Sequence, residues 1–346
     1  AQERVYGSMF AFDIASGRVT PLTKETMVRA PSFSADGRTA AFAMDTPTSP
    51  AEVYVSDDRF SNPLRLTTTN PQLASISMGE TEVVTWKSSD GWSVEGVLLK
   101  PVGYRPGQKV PLLVDVHGGP TGAHTNGFKA SWGNAGQFWA GQGWAVLYPN
   151  PRGSTGYGEK FMRGNIPDWG GGDYRDIMTG VDELIRRGIV DSTRMAFEGW
   201  SYGGYMTSWV VSQTGRLKAA MMGAGLPSLL SMASTTDIPG YIDTFFNGMP
   251  QYDGSLVNPS IKFFLERSAI SYSDRVTTPL LILHGGNDER VPIGQPMEFY
   301  RALKNRGKTT ELVFYPREGH GLSEYYHQLD RMKREYEWIA RYTLGV

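Results

Sequence analysis

The spacing of apolar positions changes character near residue 80. Up to about there, short apolar runs alternate with clusters of Thr, Ser and Pro, the pattern of short strands and turns. "MFAFDIASGRVTPLT" (9–23) and "VYVSDDRFSNPLRLT" (53–67) share one order: an apolar strand, an aspartate, a turn, then Pro-Leu and Leu-Thr. Thr23 and Thr67 stand 44 residues apart in this weak repeat. Between them "PSFSADGRTAAFAM" (31–44) reads as strand, turn, strand, with Asp36-Gly37 as the hairpin signal. A period of about 40–45 fits a four-stranded propeller blade, and there is room for roughly one and a half blades. The alternative is a small β-extension.

From about residue 83 strands and helices alternate. "TEVVTWKSSDGWSVEGVLLKP" predicts two antiparallel strands joined at Asp90-Gly91. "VPLLVDVHGGP" and "GWAVLYPNPRGS" each hold a buried strand. "DYRDIMTGVDELIRRG" has helical apolar spacing at Ile177, Val181, Leu184 and Ile185 and stops at Gly188. Then follow "RMAFEGWS", a helix from about Gly203, "KAAMMGAG", "TPLLILHGG", the helix "GQPMEFYRALKNRG", "TELVFYP" and a last helix ending near Tyr342. This rhythm argues a mostly parallel sheet covered on both faces. Residues 226–275, rich in aromatics and prolines, break it and read as an insertion over one end of the sheet.

Composition narrows the function classes. The formal net charge is −1 and no block of like charge stands out, so neither nucleic acid nor a membrane is expected as a partner. There is no cysteine, which excludes disulfides, thiol catalysis and thiolate metal sites. No apolar run approaches the roughly 20 residues of a membrane span. The first residue is Ala1 rather than Met, so processing or truncation is expected. Cytoplasm and periplasm are both compatible with these features.

The chemistry centres on "GWSYGG", residues 199–204. A G-x-S-x-G between a strand and a helix forms a turn so tight that only small residues fit beside it, and it lifts the serine oxygen into a crevice. Ser201 is therefore the expected nucleophile, and the backbone N–H of Tyr202 faces a developing oxyanion. The chain order must continue with an acid and then a histidine. His320 follows the strand "TELVFYP" in the glycine-flanked loop "REGHG" and is the expected base. His327 lies at helical spacing and reads as a packing or surface residue. Asp288, in the loop after "TPLLILHGG", is the expected acid, with its neighbour Glu289 as fallback. His284 reads as a cap on that strand. A second oxyanion donor is expected from "VDVHGGP" (114–120): the N–H of Gly119, or alternatively Gly118. His117 either pins that loop or donates to the oxyanion itself; the first is preferred.

Taken together, "HGGP", "NPRGSTGYGEKF", "WGGGDYRD", "GWSYGGYMT", "HGGNDERVP" and "EGHGL" resemble the prolyl oligopeptidase family of serine peptidases, nearest its acylaminoacyl-peptidase and dipeptidyl-peptidase-like branch. The resemblance covers residues from about 80 onward. It implies an α/β-hydrolase domain with a mostly parallel eight-stranded sheet at 79–346, and makes 1–78 the last part of a β-propeller. Ser201, Asp288 and His320 match the family triad, and Tyr202 supplies the oxyanion amide. Where some branches place a tyrosine hydroxyl as the other oxyanion donor, this chain has His117 followed by two glycines. The resemblance suggests that Arg290 binds a substrate carbonyl; a surface salt bridge is its plain alternative. Ile238, Tyr241, Phe245 and Phe246 of the insertion are expected to wall the pocket for the acyl-side residue, or else to pack beneath it. A whole propeller needs several hundred residues that are missing or lie on another chain, and the glutamates by which dipeptidyl peptidases hold a free N-terminus come from it, so they cannot be sought here.

The expected partner is a short peptide or acyl-peptide, and no cofactor or metal is called for. Self-association into a homo-oligomer, and supply of the absent propeller portion by another chain, both stay open. A carboxylesterase of the same fold is the enzymatic rival, since the same site cleaves esters. A non-catalytic binding protein of that fold is disfavoured because all three triad members are present. "GSTGYG" (153–158) lacks the Lys-Ser/Thr of a phosphate loop and reads as a structural turn.

Overall fold

In the strands after residue 80, successive apolar residues enter two different cores. Leu112 and Val114 join one, Leu113 the other; Ala145 and Leu147 join the first, Val146 and Tyr148 the second. Side chains alternate across a strand, so this split requires a sheet packed on both faces. The computed structural model, which describes residues 1–252 and 258–346, contains that sheet. Its strands in chain order are β1 (Thr81–Lys87), β2 (Ser93–Leu99), β3 (Val110–Val116), β4 (Ala145–Asn150), β5 (Val190–Trp200), β6 (Ala219–Gly223), β7 (Leu280–Gly285) and β8 (Thr310–Tyr315). Spatially they run β8-β7-β6-β5-β3-β4-β2-β1. All neighbours from β4 to β8 pair parallel, while β2 pairs antiparallel with both β4 and β1. This is an α/β-hydrolase fold.

One face is covered by α1 (Gly172–Arg186) and α2 (Tyr202–Gln213), through Ile177, Val181, Leu184, Met206 and Val210. The other is covered by a long C-terminal helix, Tyr325–Leu344, through Trp338 and Ile339. The expected insertion forms short helices at Leu229–Thr235, Pro239–Phe246 and Pro259–Glu266. Its residues 253–257 lie outside the described residues. No described helix is long and apolar enough to cross a membrane.

Ahead of the sheet stand a hairpin (Phe10–Phe12 with Val19–Pro21) and a four-stranded antiparallel sheet (Val28–Phe33, Thr39–Thr46, Ser49–Asp57, Leu64–Arg65). The repeat read from the sequence is visible in their hydrogen bonds. Thr23 Oγ1 accepts from the Met9 amide at 3.0 Å, and Thr67 Oγ1 from the Val53 amide at 2.9 Å. The amides of Leu22 and Leu66 donate to the carbonyls of Met9 and Val53, each at 2.8 Å. The first residues depart from that unit. Val5 is fully buried in a core of the main sheet, Arg4 pairs with Glu95, and the Asn126 amide donates to Val5 O at 2.7 Å. The chain thus starts on the α/β layer, leaves it for the small sheets, and returns.

Candidate active site

Ser201 joins β5 to α2 with φ 63° and ψ −120°, a conformation that L-residues avoid. Such strain costs on the order of 1–3 kcal/mol and persists only where the surroundings impose it. Here they do. A Cβ on Gly199 would come within 2.6 Å of the Gly203 carbonyl group, and one on Gly203 would collide with the Val116 carbonyl. The Ser201 amide donates to Gly223 O at 2.9 Å, which ties the turn to β6.

His320 Nε2 lies 2.9 Å from Ser201 Oγ, and His320 Nδ1 lies 2.9 Å from Asp288 Oδ2. The buried Asp288 is oriented by the Val291 amide, which donates to its Oδ1 at 2.9 Å. His284, also buried, is 3.4 Å from Asp288 Oδ2 and 2.7 Å from Val291 O through Nε2. Burial lowers the His284 pKa, so its ring is neutral and donates to Val291 O. The loop carrying His320 is held at both ends. Trp200 Nε1 donates to His320 O at 2.6 Å. The buried Glu318 carboxylate accepts from the amides of Ser323 and Glu324 at 2.8 Å, and from His327 Nδ1 at 2.9 Å. Burial pushes that carboxyl up, but the donors outweigh it and hold its pKa at about 2. His327 is thereby a loop anchor. Glu289 is exposed, and its carbonyl accepts from the Asp237 amide at 3.1 Å.

The Tyr202 amide stands at the first residue of α2, where the helix leaves N–H groups unpaired and favours negative charge. The Tyr202 hydroxyl donates to buried Asp173 Oδ2 at 2.5 Å. Burial raises Asp173 to about 7. Gly119 has φ 130°, and a Cβ there would lie 2.6 Å from the Thr121 amide nitrogen, so only glycine fits. The Tyr241 hydroxyl donates to Gly119 O. The His117 ring is fixed between Gly118 O at 2.7 Å and Ser154 Oγ at 2.9 Å, and burial lowers its pKa to about 4. Of the two readings for His117, this geometry is that of a neutral side chain pinning the loop.

Two cavities meet at Ser201 and His320. One, of about 320 Å³, is lined by Gly119, Tyr202 and Arg290 together with apolar walls. The other, of about 510 Å³, lies between Trp132, Trp200, Leu322 and Arg331.

Residues 131–345 match the family model described as "Prolyl oligopeptidase family". The chain belongs to the prolyl oligopeptidase family. Among its relatives, the "Uncharacterized peptidase YuxL" of Bacillus subtilis is 39% identical over 254 residues, 73% of this chain and 37% of that protein. The "Acylamino-acid-releasing enzyme" of Rattus norvegicus is 32% identical over 249 residues, 71% of this chain and 33% of that one. Among solved structures, the acylaminoacyl peptidase of Pyrococcus horikoshii superposes with a TM-score of 0.85 at 28% identity, over 99% of this chain and 53% of that chain. The chain thus spans about half the length of that structure, and its match about a third of the curated relatives.

Not every residue expected in this family member's pocket reaches it. Ile238 and Tyr241 line the smaller cavity. Phe245 and Phe246 do not: both are buried behind Trp169, their rings 5.3 and 5.0 Å from its own. The short helix Pro239–Phe246 turns Tyr241 inward and puts the two phenylalanines into the core, where full burial of an aromatic ring gains most. The sequence reading missed Trp169, Leu226, Met232 and Val291, which complete the apolar wall. Trp169 stood inside "WGGGDYRD", but a tryptophan carries no chemistry that periodicity would single out. Also missed was Asp237, whose carboxylate receives Arg290 Nε at 2.7 Å and Nη2 at 3.3 Å.

Proposed function

We propose that the chain carries the catalytic domain of a serine peptidase that cleaves short peptides, acylaminoacyl-peptides foremost, through an acyl-enzyme on Ser201. The observation that carries this reading is the Ser201–His320–Asp288 relay, with both links at 2.9 Å. His320 takes the Ser201 proton as Oγ attacks the scissile carbonyl, and Asp288 holds the imidazole and stabilises its positive charge. The amides of Tyr202 and Gly119 receive the oxyanion. As the intermediate collapses, the C–N bond breaks and His320 passes the proton to the departing amine. Water then enters, loses a proton to His320 and attacks the ester carbonyl; as the bond to Ser201 Oγ breaks, His320 returns that proton to Oγ and the acid is freed. The smaller cavity, with Trp169, Leu226, Met232, Ile238 and Tyr241, takes an apolar or aromatic acyl-side residue. In support, an acylaminoacyl peptidase that resembles this chain at TM-score 0.85 and 29% identity was solved in complex with Z-Gly-Gly-Phe-chloromethyl ketone.

We read residues 1–78 as the C-terminal part of a β-propeller preceding a catalytic domain at 79–346. The 44-residue repeat of strand hydrogen bonds favours this over a plain β-extension. Acetyl-Phe-p-nitroanilide should be hydrolysed by the wild-type chain, and a serine-directed phosphonate should label Ser201 alone. Ser201→Ala and His320→Ala should each cost on the order of 10⁴-fold or more in kcat. Full activity in Ser201→Ala would overturn the assignment.

A further inference from the structure

The larger cavity differs in kind from the acyl pocket, because it contains a nearly buried cation. Arg331, from the second turn of the helix Tyr325–Leu344, lines it together with Trp132, Trp200, Leu322 and Gln328. The guanidinium carbon lies 4.4 Å from the centroid of the Trp200 ring, and Nε donates to Glu335 Oε1 at 2.7 Å. The side chain is 14% exposed. Neither terminal nitrogen has a hydrogen-bond partner among the described residues, yet neither is sealed from solvent. A guanidinium carries five N–H donors, and the four on its terminal nitrogens have no protein partner among the described residues, so they stand free to meet an acceptor that enters the cavity. Three carboxyls, Glu335, Glu198 and Asp115, interact with it electrostatically, and among the described residues only Glu335 is in hydrogen-bond contact with it. A fork of donors over an aromatic ring, in one cavity with Ser201, matches a carboxylate.

On the reading above, the acyl chain takes the cavity that holds Tyr202 and Arg290, which leaves the other for the departing amine; His320 lines both. We propose that the cavity between Trp132, Trp200 and Arg331 is the leaving-group subsite and that Arg331 selects a leaving group bearing a carboxylate. That group is the free α-carboxylate of a single C-terminal residue, or the side-chain carboxylate of an acidic one. Trp132 and Leu322 give the rest of the leaving residue an apolar wall. This inference rests on the peptidase reading above.

The test uses the full chain and three substrates that share one acyl part: acetyl-Phe-Ala with a free C-terminus, acetyl-Phe-Ala-amide and acetyl-Phe-Glu-amide. Release of acetyl-Phe is measured. Wild-type kcat/KM for a carboxylate-bearing substrate should exceed that for the neutral amide by about 10- to 100-fold, as expected for a charge-assisted pair. Preference for the free acid identifies the α-carboxylate, and preference for the Glu amide the side chain. Arg331→Gln should bring the ratio close to one, and Arg331→Lys should keep part of it. If Glu335, deprived of its partner, prevents Arg331→Gln from folding, the wild-type ratio and its decline with added salt decide alone. Equal rates on all three substrates in the wild type overturn the inference, as does a ratio that persists in a folded Arg331→Gln. Failure to cleave acetyl-Phe-p-nitroanilide, which has no carboxylate, would instead sink the peptidase reading.

Discussion

Trp200 and His320 are joined by a 2.6 Å hydrogen bond from the indole Nε1 to the histidine carbonyl, so the residue before the nucleophile fixes the backbone of the base. The two sit 120 positions apart, on β5 and on the loop after β8. Trp200→Phe removes the donor but keeps a ring under Arg331. It should lower kcat about 10-fold with little change in KM, because misplacing a general base weakens transition-state contacts more than ground-state binding. Steady-state kinetics on one acetyl-aminoacyl substrate checks this; a rise in KM at constant kcat would mean that Trp200 serves binding alone.

Tyr241 is placed to do two things: its ring lines the smaller cavity, proposed above to take the acyl-side residue, and its hydroxyl holds the Gly119 carbonyl. Tyr241→Phe separates them. The pocket wall survives, so the preference among acyl-side residues should stay as in the wild type. The Gly119 peptide loses an anchor, and kcat should fall by about 3- to 30-fold on every substrate, a fraction of the loss caused by deleting an oxyanion donor. A change in specificity without a fall in kcat would refute the anchoring role.

The parts legible in the sequence were those whose chemistry constrains the local chain. The Ser201 elbow needs Gly199 and Gly203 for steric reasons, and strand order dictates where an acid and a histidine must follow. Asp288 and His320 could therefore be picked out by loop position before any distance was known. Arg331 was not legible. It lies near the start of a helix between Asp330 and Met332, and nothing in its spacing separates it from a solvated arginine. Only the turn of the final helix over β5 brings it onto Trp200. Asp237 was invisible for the same reason, since its partner Arg290 is 53 positions away. Phe245 and Phe246 show the reverse error: an aromatic cluster signals burial, and sequence alone cannot say whether the buried face meets substrate or core.

Asp173 gives a stability prediction with a definite sign. Burial raises its pKa from 3.8 to about 7, while the Tyr202 hydroxyl and the Tyr174 amide pull it partly back. Between those values the folded chain holds a proton that the unfolded chain has released, so stability falls as pH rises through the window. At about 1.4 kcal/mol per pKa unit, the loss amounts to at most roughly 4 kcal/mol by pH 7. Asp173→Asn keeps an acceptor for Tyr202 but cannot ionise. Relative to wild type, the variant should gain stability steadily from pH 4 to pH 7 and then level off. Urea unfolding at four pH values in that range measures the difference; a constant difference would show that Asp173 is not held protonated.

Arg290 and Asp237 form the last testable pair. Both side chains are more than a third exposed, at 44% and 38%, so their ion pair adds little to stability. Asp237 takes Nε and Nη2 at the edge of the smaller cavity; if Arg290 holds a substrate carbonyl there, as the resemblance to the family implies, Nη1 is the donor left for it. A hydrogen bond to a charged donor is worth roughly 1.5–3 kcal/mol. Arg290→Ala should therefore lower kcat/KM for an acetyl-aminoacyl-peptide by about 10- to 100-fold, and leave a short acetate ester, which offers no such carbonyl, much less affected. Asp237→Ala keeps the cation but frees it to wander, so a smaller loss of about 3- to 10-fold, mostly in KM, is expected on the same peptide. Both variants should unfold at nearly the wild-type urea midpoint, as expected for an exposed ion pair. The deciding quantity is the peptide-to-ester ratio of kcat/KM. If Arg290→Ala lowers both substrates equally, the arginine braces the Asp288 loop rather than the substrate, and the preference for peptides over esters must originate elsewhere in the site.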